Sequence, residues 1–318
     1  MKEYGGYLEW EAREGSDYYP NYLRFDAIRS ALNYVSQKHG YRKVWIPYYL
    51  CGCIRETLTA MEMPYECYSI REDFCPDLPE DLPENDCVFV VNYFGQLSNR
   101  TLEELSRKYP NIFVDNTHAF FQDPVPGLDT GYTCRKYFGV PDGAYLSTDL
   151  VADDFDELPY DISFHRMQYI MGRYETDSNS HYQDFVKNDL MFRGVPAKKM
   201  SRLVKSILSG LDYPVIIQQR RDNFSCLHDA LKDKNQLMVQ NEAGLFLYPF
   251  LCDNGEEVKK RLIAKKIYVP TFWPEVLESC PENSWEYRLT KKLVLLPMDQ
   301  RYNRQDMEHI LDVMSSII

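Results

Sequence analysis

CVFVVNYFGQLSNRTLEELSRKYPNIFVDN, residues 87–116, reads as strand, helix and strand in quick succession. CVFVVNYF (87–94) is a continuous apolar run, the pattern of a strand covered on both faces. LEELSRKY (102–109) is an amphipathic helix, and NIFVDN (111–116) is a second buried strand. The same alternation extends outward. Upstream, FDAIRSALNYVSQKH (25–39) places Phe25, Ile28, Leu32 and Val35 at helical spacing. VWIPYYL (44–50) is short and β-rich, IRETLTAMEM (54–63) reads as helix, and GAYLST (143–148) downstream reads as another strand. Short apolar strands alternating with amphipathic helices specify a three-layer α/β architecture with a mainly parallel sheet. This core is expected over about residues 20–200.

From 150 to 200 the chain turns polar and amphipathic. FHRMQYIMGRYETDSNSHYQDFVKNDLMF (164–192) reads as helices packed over the sheet. After Gly210 come a helical run, YPVIIQQRRDNFSCLHDALKD (213–233), the apolar GLFLYPFLC (244–252), the helix GEEVKKRLIAKKI (255–267), YVPTFWP (268–274) and a terminal helix after Asn303. The expected division is a large α/β domain over 1–210 and a smaller α+β domain over 211–318.

The 318 residues, 44% hydrophobic, 14% aromatic and 26% charged, exclude disordered, collagen-like and disulfide-scaffold classes. With 48 acidic against 36 basic residues, the net charge of −12 makes nucleic acid an unexpected partner. The first residues lack a basic start with an apolar core, and no apolar stretch is long enough to span a membrane, so a cytoplasmic protein is expected. Nine cysteines without framework spacing are expected as free thiols. Cys51-Gly52-Cys53 has no partner pair at metal-ligand spacing, so no metal site is expected.

Three segments carry chemistry, each where an apolar strand runs out into a polar loop, the place where ligands collect in open α/β sheets. In FVDNTHAFF (113–121), Asp115 ends an apolar strand and His118 follows. A carboxylate there needs a cation or hydrogen bonds, or it caps a following turn. In GYTCRKYFGVPDGAYLS (131–147), Arg135 and Lys136 lie between apolar segments ahead of a Pro-Asp-Gly turn. Loss of solvation favours the neutral, nucleophilic form of an amine, although lysines are also routine in surface loops. Arg29 at the start of the first helix, and the loop 51–53 opening the next, could each receive an anion. A carboxylate, a lysine loop and an anion-binding helix start are together what pyridoxal phosphate requires: a partner for the pyridinium nitrogen, a Schiff-base lysine and a phosphate cup.

The chain resembles the DegT/DnrJ/EryC1/StrS sugar aminotransferases, fold-type-I pyridoxal-phosphate enzymes, over nearly its whole length, though it is shorter than typical members. FVDNTHAFF and TCRKYFGVPDGAYL carry the resemblance. It implies that Asp115 contacts the pyridine nitrogen, that His118 lies near the cofactor's 3′-oxygen, and that Lys136 is the Schiff-base lysine, with Asp142 and Gly143 six and seven positions on. Thr133 corresponds to the phosphate-holding position before that lysine, and VNYFGQ (91–96) to the strand end that precedes the Asp strand, with Gly95 and Gln96 in place. The family's phosphate-binding Gly and its Thr, Ser or Arg neighbour fall on Ile28 and Arg29. The position of its stacking aromatic residue falls on Cys51, with Tyr49 as the nearby ring. The segment that reaches across the dimer carries Lys198 and Lys199 where many members have Asn.

The resemblance implies a homodimer that transfers an amino group from a donor such as glutamate to a small-molecule keto sugar, one linked to a nucleotide, with neither a nucleic acid nor a membrane as partner. Arg29, Arg135, Lys198, Lys199 and Arg202, with Arg220 and Arg301, are candidates to hold its anionic part. Two alternatives stay open: another pyridoxal-phosphate sugar-modifying enzyme, and a non-catalytic relative that binds or regulates.

Overall fold

The computed structural model describes residues 4–13, 15–240 and 245–318. Residues 1–3 of the N-terminal segment and Gly244, which opens the expected run 244–252, lie outside these.

Strands β1 (Leu23–Phe25), β2 (Lys43–Pro47), β3 (Tyr65–Ile70), β4 (Pro76–Asp77), β5 (Asp86–Val91), β6 (Ile112–Asp115), β7 (Asp129–Thr133) and β8 (Ala144–Ser147) form one sheet in the order β1-β8-β7-β6-β5-β2-β3-β4. The run β7-β6-β5-β2-β3 is parallel, and β8, β1 and β4 join antiparallel. Strands β9 (Tyr248–Leu251) and β10 (Leu293–Leu296) pair in a second, antiparallel sheet. The helices are α1 (Ile28–His39), α2 (Gly52–Ala60), α3 (Asn99–Lys108), α4 (Gln168–Glu175), α5 (Tyr182–Leu190), α6 (Arg202–Leu208), α7 (Tyr213–Leu231), α8 (Gly255–Ala264), α9 (Val276–Ser279), α10 (Trp285–Lys292) and α11 (Arg304–Ser315).

The expected α/β architecture is present, with differences at element ends. Phe25, expected at the start of a helix, instead pairs with Ala144 in β1, and α1 begins at Ile28. Sheet pairing at the edge outweighs helical periodicity there. The run expected as strand 87–94 leaves the sheet after Val91, where Asn92 accepts from Leu97 N and donates to Asn116 and Gln122. Strands β3 and β7 carry polar residues and lack a clean apolar run. Helix α11 starts after Asn303 as expected: the Asn303 side chain accepts from Gln305 N and Asp306 N while the Asp306 carboxylate accepts from Asn303 N, a capping box. All nine cysteines are free thiols.

Every residue of β5 and β6 is buried, and the Phe89 and Phe113 rings stack across them at 5.5 Å. Packing is tight where α1 crosses β7. A Cβ added at Gly131 would stand 2.7 Å from Ile28 Cγ1 and 2.9 Å from Phe113 Cζ. Gly131→Ala is therefore expected to destabilise by about 1–3 kcal/mol. Thermal melts check this, and Ile28→Ala in the same chain should return part of the loss by vacating that space.

Candidate active site

The carboxyl ends of the parallel strands converge on one cleft of about 130 Å³. Val91 closes β5, Asp115 closes β6, Thr133 closes β7, and the loop after β2 with the start of α2 brings Leu50, Cys51 and Cys53. Ala27, Ile28 and Arg29 at the start of α1 form another wall, and Phe272 and Trp273 come from the irregular segment 268–274. Thr117, His118, Arg135, Lys136 and Asp189 complete the chemistry-bearing part of the lining.

Asp115 is buried and accepts from Thr117 N at 2.8 Å. Burial pushes its carboxyl up to about 6, against the lowering effects of the Thr117 hydrogen bonds and the Lys136 charge. It is an acceptor short of a cationic partner. Thr117 and Thr133 share a hydroxyl contact at 3.0 Å, which ties the ends of β6 and β7 together above the site.

His118 is 3% exposed, and its Nδ1 has no hydrogen-bond partner. Burial, and then the Lys136 charge, push the ring down to about 3, so it is a neutral imidazole at physiological pH. It lies near-parallel to Phe94, Phe246 and Phe272, with centroids 5.3, 5.5 and 5.3 Å away. Phe94 and Trp273 both take positive φ, +54° and +50°, in this aromatic wall. Such backbone strain in bulky residues is held by surrounding packing and concentrates at functional sites.

Lys136 follows β7 in a short 3-10 turn and extends over the Phe246 ring, its Nζ 5.7 Å from the centroid. It makes no ion pair among the described residues. The side chain is exposed, as a lysine in a surface loop would be, and it also lines the cleft.

Ile28 does line the cleft, but its side chain also packs onto Gly131, and α1 keeps its first turn free of a side-chain cap. The amides of that turn can therefore receive an anion. Cys51, at the start of α2, also lines the cleft. Its thiolate is favoured by hydrogen bonding to the Cys53 side chain and, against burial, by the Cys53 backbone N–H.

Tyr49 does not line the cleft. It is 1% exposed and meets Trp273 edge-on at 4.5 Å, so it supports the ring that does face the cavity. Gln96 bonds Phe94 O and the Gln240 backbone instead of entering the site. Asp142 accepts from Ser201 N and Oγ, anchoring the start of α6.

Of the cations considered for an anionic substrate, only Arg29 and Arg135 reach the cleft lining. Lys198 pairs with Asp161, and Lys199 is buried with Nζ donating to Asp156 O. Arg202 lies over the Tyr160 ring, Arg301 pairs with Asp299, and Arg220 is buried against Tyr137 and bonded to Gln300 and Leu245 O. Asp189, Thr117, Phe272 and Trp273 were not singled out by sequence reasoning; the aromatic pair in YVPTFWP was the only local signal for any of them.

The α/β fold is shared with solved sugar aminotransferases. CalS13 from Micromonospora echinospora matches with a TM-score of 0.66 at 11% identity, over 94% of this chain and 88% of that one. Spr1654 from Streptococcus pneumoniae in its PLP-form matches at 0.65 and 12% identity, over 94% and 88%. DesI in the presence of its TDP-sugar product matches at 0.64 and 15% identity, over 92% and 79%. No family model and no curated protein matches the sequence. At these identities the likeness is one of fold.

Proposed function

We propose that the protein is a pyridoxal-phosphate-dependent aminotransferase that moves an amino group from an amino-acid donor such as glutamate to a keto sugar, one carried on a nucleotide. The observation that carries this reading is the meeting of Asp115, His118 and Lys136 in one cleft at the strand ends, beside an uncapped helix start. The solved proteins that share the fold include sugar aminotransferases in PLP- and PMP-forms and one with a TDP-sugar product.

The residues suit the cofactor. Asp115 is a buried carboxylate lacking a cation, as a pyridinium N–H partner should be, and the unpartnered His118 Nδ1 is a second polar group left for a ligand. Thr133, the first turn of α1, Arg29 and Arg135 offer donors for the phosphate. When bound, pyridoxal phosphate supplies an electron sink for chemistry at the amine-bearing carbon. Asp115 would hold the proton on the ring nitrogen. Lys136 would anchor the cofactor, and its freed amine would move a proton at the substrate carbon as acid and base. The aromatic wall of His118, Phe272 and Trp273 would exclude water from one side.

In this reading residues 1–210 carry the cofactor and 211–318 contribute Phe272 and Trp273. It also includes a homodimer. Exposed apolar side chains gather between 160 and 195, among them Ile162, Phe164, Tyr174 and Tyr182, as an association surface requires. No helix among the described residues is long and apolar enough to cross a membrane; a cytoplasmic location remains part of the proposal.

The test is an absorbance titration with pyridoxal phosphate followed by glutamate. A visible band that bleaches on glutamate addition is the expected result, and keto sugars then restore it. Failure of the wild-type protein to develop any band would favour the binding-protein alternative.

A further inference from the structure

Arg29 and Arg135 flank one end of the cleft, and the anion between them is supplied by the chain itself. Asp189, near the end of α5, places Oδ1 3.0 Å from Arg135 Nη2 and 3.7 Å from Arg29 Nη2. Both guanidiniums also pack on the Phe192 ring, 5.5 Å away for Arg29 and 4.6 Å for Arg135.

This cradle has more donors than Asp189 uses. Arg29 is 4% exposed, yet its Nη1 has no hydrogen-bond partner. The first turn of α1, next to it, has no side-chain cap. Thr133 brings a hydroxyl to the same lining. A carboxylate offers two oxygens in a plane, whereas a phosphate monoester offers three terminal oxygens in a tetrahedron and more charge, which suits two guanidiniums and a helix start. The cavity volume of about 130 Å³ falls below the roughly 300–1,000 Å³ of ordinary ligand pockets, as expected when a side chain stands inside one. Within α5 only Asn188 is buried, so little packing opposes withdrawal of Asp189.

We propose that Asp189 gates this phosphate cup: its carboxylate occupies Arg29 and Arg135 until a phosphate monoester displaces it. In the reading above the monoester is the cofactor's phosphate, and that assignment rests on that reading. Asp189 then acts as a gate: apparent affinity for the ligand is reduced by the fraction of molecules in which the carboxylate sits on the arginines. Arg135 and Arg29 keep this carboxyl below its usual range despite burial, which works in the other direction.

The experiment compares wild type with Asp189→Asn and Asp189→Ser for binding of inorganic phosphate, pyridoxal phosphate and pyridoxal, by calorimetry and absorbance, with ligand-free melts as a check on folding. Both variants should bind phosphate and pyridoxal phosphate about tenfold or more tightly, and pyridoxal, which lacks the phosphate, within about twofold of wild type. Arg135→Gln added to Asp189→Asn should cancel the gain. Unchanged or weaker phosphate binding in both folded variants, or an equal gain for pyridoxal, overturns the gate. A Lys136-dependent band in wild type with no gain in the variants sinks the gate and leaves the aminotransferase reading. A gain for inorganic phosphate in a protein that never develops the band does the reverse.

Discussion

Replacing Lys136 with Ala abolishes the visible band formed with pyridoxal phosphate and lowers turnover by roughly four orders of magnitude or more, because one amine serves as both anchor and proton carrier. The fold should be indifferent. Lys136 is exposed, makes no ion pair among the described residues and stands over the Phe246 ring, so stability should change by no more than about 0.5 kcal/mol. The paired measurements are an absorbance titration and a thermal melt on the same preparation. A loss of the band together with a large fall in melting temperature would point to a misfolded loop instead of a missing amine. Unchanged turnover would remove the proposal.

Asp115→Asn separates stability from function in the opposite direction. Burial raises the folded-state carboxyl to about 6, whereas an unfolded aspartate titrates near 3.9. The folded state therefore holds this proton more tightly than the unfolded chain does. Its contribution to stability is complete below about pH 4 and is lost as pH rises through about 6. A shift of about two pH units corresponds to about 3 kcal/mol by pH 8, and Asn, which keeps an acceptor for Thr117 N, escapes that loss. The cofactor-free variant should be more stable than wild type by about 2–3 kcal/mol at pH 8 and nearly equal at pH 4. Turnover should fall by roughly 10²–10⁴-fold, since no carboxylate remains to hold the ring proton. Urea melts at the two pH values and steady-state rates check both halves. Equal stability at pH 8 would show that the Asp115 carboxylate is already compensated in the folded chain.

The placement of these two residues in the fold was legible in the sequence for a simple reason. Asp115 interrupts a run, Ile112 to Val114, that can only be a buried strand, so its position at a strand end followed from local pattern. Lys136 stood between apolar segments ahead of the turn 141–143, and the parallel pairing of β6 with β7 brings it to the same end of the sheet as Asp115. The terminal helix expected after Asn303 is α11, which begins at Arg304.

Other assignments failed for want of local information. Tyr49 and Cys51 are neighbours on one loop, and only packing against Trp273 decided that the cysteine faces the cleft and the tyrosine supports its wall. Lys198 and Lys199 were equally available as anion ligands until Asp161 and the Asp156 carbonyl claimed them.

What the sequence by itself determined is the alternation of buried strands and amphipathic helices and the strand-end position of Asp115, because solvent exclusion acts on each short segment through its own periodicity. The tertiary structure alone decided which distant side chains share the cleft: Asp189 from α5, Phe272 and Trp273 from beyond α8, and two arginines out of several. Charge pairing and ring packing operate between groups far apart in the chain, and no local pattern records which partner a given side chain will meet.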